Sequence, residues 1–230
     1  MEGIAEVGRA VGSGAAVAEA YLREDHSPEA LAALDGSGVE PTILGTGAFD
    51  KASVRGPGAE VLAVVADPTR TLEELELGSN PLVLVVEGVE KPGNLGGMLR
   101  TADAVGVDAV IVADPTTDVA NPNVVRASLG CVFTVPVATA PSEEAISFLV
   151  DQKIQIVATL TSATSSHWDA DLTGPTALVV GTEHDGLSAG WQEAAKTPVL
   201  IPMAGSVDSL NASVSAAVVL YEAARQRSTA

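Results

Sequence analysis

Three stretches of the chain set glycines beside side chains that can bind or orient a ligand. The first, Glu87 to Thr101 (EGVEKPGNLGGMLRT), reads as a loop whose Gly93, Gly96 and Gly97 let the backbone turn tightly or approach a ligand. Asn94 adds a donor and an acceptor, and Arg100 adds a fixed positive charge one turn into the following helix. The second, Val180 to Ser188 (VGTEHDGLS), carries Glu183 and His184, and Gly186 permits the turn into the next helix. The third, Ile201 to Asn211 (IPMAGSVDSLN), brings Ser206, Asp208, Ser209 and Asn211 to the entry of a long helix. Hydroxyls, amides and one guanidinium can orient a substrate and stabilise developing charge. His184 has no triad or metal partner in the sequence and reads as a loop histidine. The glycines match neither the G-x-G-x-x-G dinucleotide fingerprint nor a phosphate loop ending in G-K-[ST]. Two plainer readings stand beside these: Arg100 as half of an ordinary ion pair, and the Ser/Asn cluster as a helix cap.

Such groups need rigid elements behind them. Beyond residue 81, strong apolar strands alternate with helices. Strands are expected at Leu82–Val86, Ala109–Ala113, Val135–Ala138, Ile154–Leu160, Ala177–Gly181 and Val199–Ile201. Helices are expected at Gly97–Val105, Asn123–Leu129, Ser142–Gln152 and Leu187–Lys196. Near-continuous apolar strands between helices predict a mostly parallel sheet covered on both faces, with ligands beyond the carboxyl ends of the strands. The last helix is apolar almost all round, with Val214, Val218 and Tyr221 on one stripe and Ala216, Val219, Leu220 and Ala223 on others. It is expected to be buried on more than one side, inside a domain or between subunits. Residues 1–77 read as a small α/β domain of short elements, among them a helix over Thr71–Leu77. Gly78-Ser79-Asn80-Pro81 is the expected linker (78–81), and 82–230 the second domain.

The totals bound the function. With 230 residues, 47% of them hydrophobic, there is material for one large domain or two small ones. No apolar run is long enough for a membrane span, the N-terminus has no signal-peptide layout, and the single cysteine excludes an internal disulfide. A soluble cytoplasmic protein is expected. Its net charge of −18, spread along the chain, argues on composition alone against gripping a phosphate backbone. Near the first stretch, the cations are Lys91, Arg100 and Arg126. Cys131 reads as a small buried apolar residue, and Trp168 and Trp191 read as packing residues more than base-stacking ones.

In order and spacing, N-L-G-G-M-L-R-T, V-G-T-E-H-D-G-L-S and I-P-M-A-G-S-V-D-S-L-N-A-S-V-S-A-A-V-V-L-Y-E-A resemble the three signature motifs of the SpoU/TrmH family. These are SPOUT-class RNA 2′-O-ribose methyltransferases. The resemblance covers roughly 81–230, and the part before it is more loosely similar to a ribosomal-protein-L30e-like substrate-binding domain. The chain opens almost at that domain's interior E-G, without the often basic stretch that usually precedes it.

The resemblance implies a parallel sheet threaded into a trefoil knot, a homodimer through the last helix, and S-adenosyl-L-methionine as methyl donor with no metal. It implies that Thr159, Leu160, Thr161, Gly181, Glu183, Gly186, Ile201, Met203, Ser209 and Leu210 hold the donor. It makes Arg100 the residue that orients the ribose and stabilises charge, with Asn94, Glu183, Ser209 and Asn211 as its polar supports. The implied substrate is structured RNA, rRNA more than tRNA. The acidic charge leaves open a knotted donor-binding module that has lost RNA methylation.

Overall fold

A computed structural model describes residues 1–54, 56, 58–182 and 186–228. The chain begins with α1 (Ile4–Gly12), β1 (Val17–Arg23), α2 (Pro28–Ala32), β2 (Thr42–Leu44), α3 (Thr46–Ala52) and β3 (Val61–Val65). These strands form a small sheet in the order β2-β1-β3, with β1 parallel to β2 and antiparallel to β3. Val7 of α1 packs with Leu22 and Val61 of the sheet in its core.

The second sheet takes its strands from β4 (Thr69–Arg70), β5 (Leu82–Glu87), β6 (Ala109–Ala113), β7 (Val137–Ala140), β8 (Gln155–Thr159), β9 (Thr176–Val180) and β10 (Thr197–Val199). Its order is β10-β8-β9-β5-β6-β7-β4, and every neighbouring pair is parallel. The crossovers carry α4 (Pro92–Val105), α5 (Pro122–Ala127), α6 (Ser142–Asp151) and α7 (Ala189–Ala194), and α8 (Ala212–Arg227) follows β10. All residues of β5, β6 and β9 are buried, as strands covered on both faces require. Side chains alternate across β5: Leu84 and Val86 face Leu95 and Met98 of α4 and Leu220 of α8, while Val83 and Val85 face Leu149 of α6 and Trp191 of α7.

Two expectations need correction. Thr71–Leu77 is not a full helix but a single 3-10 turn, Leu72–Glu74, in which the Thr71 N–H donates to the Glu74 carboxylate at 2.8 Å. Leu72 and Leu75 join the core of the large sheet, and β4 just before them pairs with β7. Tertiary burial of these leucines, not helical periodicity, sets the path of this segment.

The first motif is also not a glycine loop. Helix α4 starts at Pro92, whose fixed φ suits the first helical position, and runs through Gly93, Asn94, Gly96 and Gly97 to a left-handed Gly106 cap with φ 75°. Glycine inside a helix costs about 1 kcal/mol against alanine, so a packing reason is expected. Gly96 supplies one: a Cβ there would lie 2.8 Å from the Ala127 carbonyl carbon and from the Ser128 nitrogen. The missing side chain lets α4 lie against the end of α5.

Candidate functional site

At the carboxyl ends of β8, β9 and β10 an open cleft of about 740 Å³ is lined by three chain segments. Thr159, Leu160 and Thr161 come from the end of β8, Gly181 and Gly186 from the loop after β9, and Ile201, Met203, Ser209 and Leu210 from the loop after β10. The described donor-holding candidates therefore meet in one cavity, while Glu183, together with His184, lies outside the described residues. Leu187, Gln192, Asp208 and Ser215 also line it. Sequence reading did not assign those four, although Leu187, Asp208 and Ser215 fall inside the motif stretches.

Each wall is tied down. The Thr159 hydroxyl donates to the Val179 carbonyl at 2.9 Å, joining β8 to β9 at the rim. The Leu160 N–H donates to the Val199 carbonyl at 2.9 Å, joining it to β10. The loop after β9 folds back so closely that a Cβ on Gly181 would lie 2.7 Å from the Leu187 nitrogen, and the Thr182 N–H donates to the Gly186 carbonyl at 3.1 Å. Only glycine can stand at position 181 without moving backbone. The lining mixes aliphatic side chains (Leu160, Ile201, Leu210) with hydroxyls and the Asp208 carboxylate. A molecule with an apolar body, several polar edges and a positive centre matches it, and the volume suits a ligand of cofactor size.

The third loop ends at Asn211, whose side-chain oxygen accepts from the Ser213 N–H at 3.0 Å and so caps α8. The cap reading of the polar cluster is thus correct for Asn211. Its amide nitrogen does more, donating to the Asn94 side-chain oxygen of α4 at 3.1 Å. Gly97, on the same side of α4, leaves 3.4 Å between a would-be Cβ and Ser213. Arg100 stands one turn beyond Gly96, is exposed, and does not line the cleft. Asn94 and Asn211 therefore join α4 to the loop that lines the cleft, with Ser209 in the lining, and Arg100 lies on the same helix outside it.

Helix α8 is anchored at its other end too. Arg227 donates to the carbonyls of Leu172 (3.0 Å), Asn80 (2.9 Å), Pro81 (3.1 Å) and Gly174 (2.5 Å). Burial pushes its guanidinium below the usual arginine range. Gln226 accepts the Leu172 N–H at 2.9 Å. Bonding to Arg225, with help from Gln226, holds the Glu222 carboxyl down from the ordinary 4.5 to about 2. Elsewhere Cys131 is buried, with its thiol pushed up by that burial. Trp191 is fully buried, but Trp168, expected to pack, is 62% exposed.

Comparison with known proteins gives the family of the chain. The SpoU rRNA Methylase family profile matches residues 81–221. A 23S rRNA (uridine(2479)-2'-O)-methyltransferase of Streptomyces viridochromogenes is 38% identical over 174 residues, covering 73% of this chain but only 61% of the relative. The 23S rRNA (guanosine-2'-O-)-methyltransferase RlmB of Ralstonia nicotianae is 39% identical over 171 residues, covering 74% of this chain and 68% of that protein. The solved structure of the SpoU methyltransferase AviRb from Streptomyces viridochromogenes, in complex with the cofactor AdoMet, superposes with a TM-score of 0.90 at 31% identity. That match covers 100% of this chain and 90% of the neighbour. The parallel seven-stranded sheet is thus that of SpoU methyltransferases, and the chain belongs to the SpoU rRNA Methylase family.

Proposed function

We propose that the protein transfers a methyl group from S-adenosyl-L-methionine to a ribose 2′-hydroxyl of structured RNA, ribosomal RNA in preference to tRNA. One observation supports the reading: the second and third motifs line one cleft, and the loop after β10 is bonded through Asn211 to Asn94 of α4, the helix that also carries the exposed Arg100. When bound, S-adenosyl-L-methionine supplies an activated sulfonium methyl. Thr159, Leu160, Thr161, Gly181, Gly186, Ile201, Met203, Ser209 and Leu210 would hold it, and Asp208 offers a negative charge to its positive centre. Glu183 is assigned to the same role from its motif position.

The remaining work is orientation. A ribose hydroxyl is a weak nucleophile, and fixing reactants in line can supply about 7–11 kcal/mol of a barrier. Arg100 orients the ribose phosphate and stabilises charge as the hydroxyl loses its proton. A guanidinium stays protonated, so it is not the base, and the hydroxyl proton passes to solvent water. Asn94 and Asn211 hold α4 against the third loop, and with Ser209 they set the distance between hydroxyl and methyl.

Further parts of the reading follow from neighbouring features. The chain after β10 threads a trefoil knot; in support, the 161–175 crossing bonds Leu200 at one end and Gln226 and Arg227 at the other. Two copies pair through α8, whose outward side exposes Val214 (46%) and Tyr221 (56%). The N-terminal α/β unit, of the L30e-like kind, docks RNA. The work takes place in the cytoplasm, and among the described residues no helix is long and apolar enough to cross a membrane. No metal takes part, since the donor is already activated.

The test is methyl transfer from labelled donor to ribosomal RNA transcripts, with the modified ribose mapped by primer extension. Absence of transfer despite donor binding supports the second reading, a donor-binding module without RNA methylation, which the −18 charge favours. Gel shifts at rising salt separate the two, because an RNA binder weakens as salt rises.

A further inference from the structure

We propose that Glu87 is a positioning residue for the methyl donor, acting through the backbone of Ser188 on the loop that walls the cleft; this rests on the donor-binding reading above. Glu87 ends β5, the strand between β9 and β6, and its residue is only 7% exposed. A buried carboxylate needs donors. It accepts the Ser188 N–H at 2.9 Å and lies 3.4 Å from the Ser142 hydroxyl oxygen. That hydroxyl has one proton, and Asp114, at 2.6 Å, is the nearer acceptor for it. The Trp191 indole N–H donates to the same oxygen at 2.8 Å. Among the described residues, the Ser188 N–H is therefore the closest donor to Glu87.

The consequence falls on the cleft. Leu187 lines it, and the next residue is the one Glu87 grips. The other described end of this loop is tied to its own exit by the Thr182–Gly186 bond. Gln192, also in the lining, donates to the Leu187 carbonyl at 2.6 Å from the far side. Glu87 is thus the point at which a strand of the sheet fixes the position of Leu187 in the cleft wall. Glu87 is not itself among the lining residues, so its effect on the donor is indirect.

Reach and charge can be separated. Glu87→Gln keeps the oxygen at the same reach without the charge, whereas Glu87→Asp keeps the charge one carbon short of Ser188. Calorimetry with S-adenosyl-L-methionine on the purified chain should show Kd for Glu87→Gln within about threefold of wild type. For Glu87→Asp it should be weaker by about tenfold or more, the equivalent of one hydrogen bond to a charged group. With RNA as substrate, the donor KM should rise in Glu87→Asp while kcat at saturating donor and RNA affinity by gel shift stay near wild type. Donor binding by Glu87→Asp equal to wild type overturns the proposal. So does a joint loss of donor binding, RNA binding and melting temperature, which marks a general folding role. Failure of the wild-type chain to bind the donor overturns instead the functional reading beneath it.

Discussion

The Asn211 side-chain amide donates to the Asn94 side-chain oxygen at 3.1 Å, joining residues 117 positions apart. One belongs to the loop lining the cleft and the other to the helix carrying Arg100, so the bond joins the two halves of the proposed site. Substituting either by alanine should cost about 1 kcal/mol of stability, more at Asn211 because its cap is also lost. The double variant should cost less than the sum, with a coupling of about 0.5 kcal/mol or more. Urea denaturation of the four proteins measures it, and strict additivity would remove the link.

The two central glycines of α4 should answer alanine in opposite directions. At Gly97 the nearest atom of another element is 3.4 Å from a would-be Cβ, so alanine should stabilise the helix by up to about 1 kcal/mol. At Gly96 the obstacle is backbone of Ala127 and Ser128 at 2.8 Å, which cannot swing aside. Gly96→Ala should therefore destabilise by about 1–3 kcal/mol despite the better helix propensity. Thermal melts of the two variants decide the point.

Arg100 is exposed and outside the cleft lining. Arg100→Ala should leave donor affinity near wild type while lowering methyl transfer at saturating donor and RNA by about a hundredfold or more. Calorimetry and single-turnover transfer together check this. A variant that retains full turnover would remove Arg100 from the mechanism.

The bonds from Arg225 and Gln226 lower the Glu222 carboxyl from 4.5 to about 2 in the folded chain. A folded pKa below the unfolded one means that folding favours the ionised form. The contribution is complete above about 4.5 and disappears as pH falls through the range down to about 2. Wild type should melt above Glu222→Gln near neutral pH, and the gap should close as the solution is acidified across that window. A gap independent of pH would mean that the pair does not depend on the charge of Glu222.

The large sheet was legible because its strands, LVLVV and AVIVA among them, are uninterrupted apolar runs that only burial on both faces explains. The motif glycines misled locally. In isolation G-N-L-G-G signals a turn, and only the contact with Ala127, from a different crossover, explains why a helix keeps glycine at position 96. Leu72 and Leu75 misled in the same way, since the sheet that buries them is completed much later in the chain. At the cleft, polar and glycine positions stood out by type. Gln192 and Ser215 did not, because a cavity wall is assembled from helix starts that carry no mark in one dimension. Glu87 read as the first residue of the loop after the LVLVV strand. Its burial follows from Ser142 and Ser188, which come after two or more further crossovers.

Helix α8 spans about 24 Å from its first residue to its last, with Asn211 at one end and the Arg227 carbonyl clamp at the other. It therefore behaves as a beam supported at both ends. Tension or a bulky fusion at the C-terminus would be transmitted along it to the Asn94 joint, so loosening the foot of the beam should be felt as imprecise chemistry at its head.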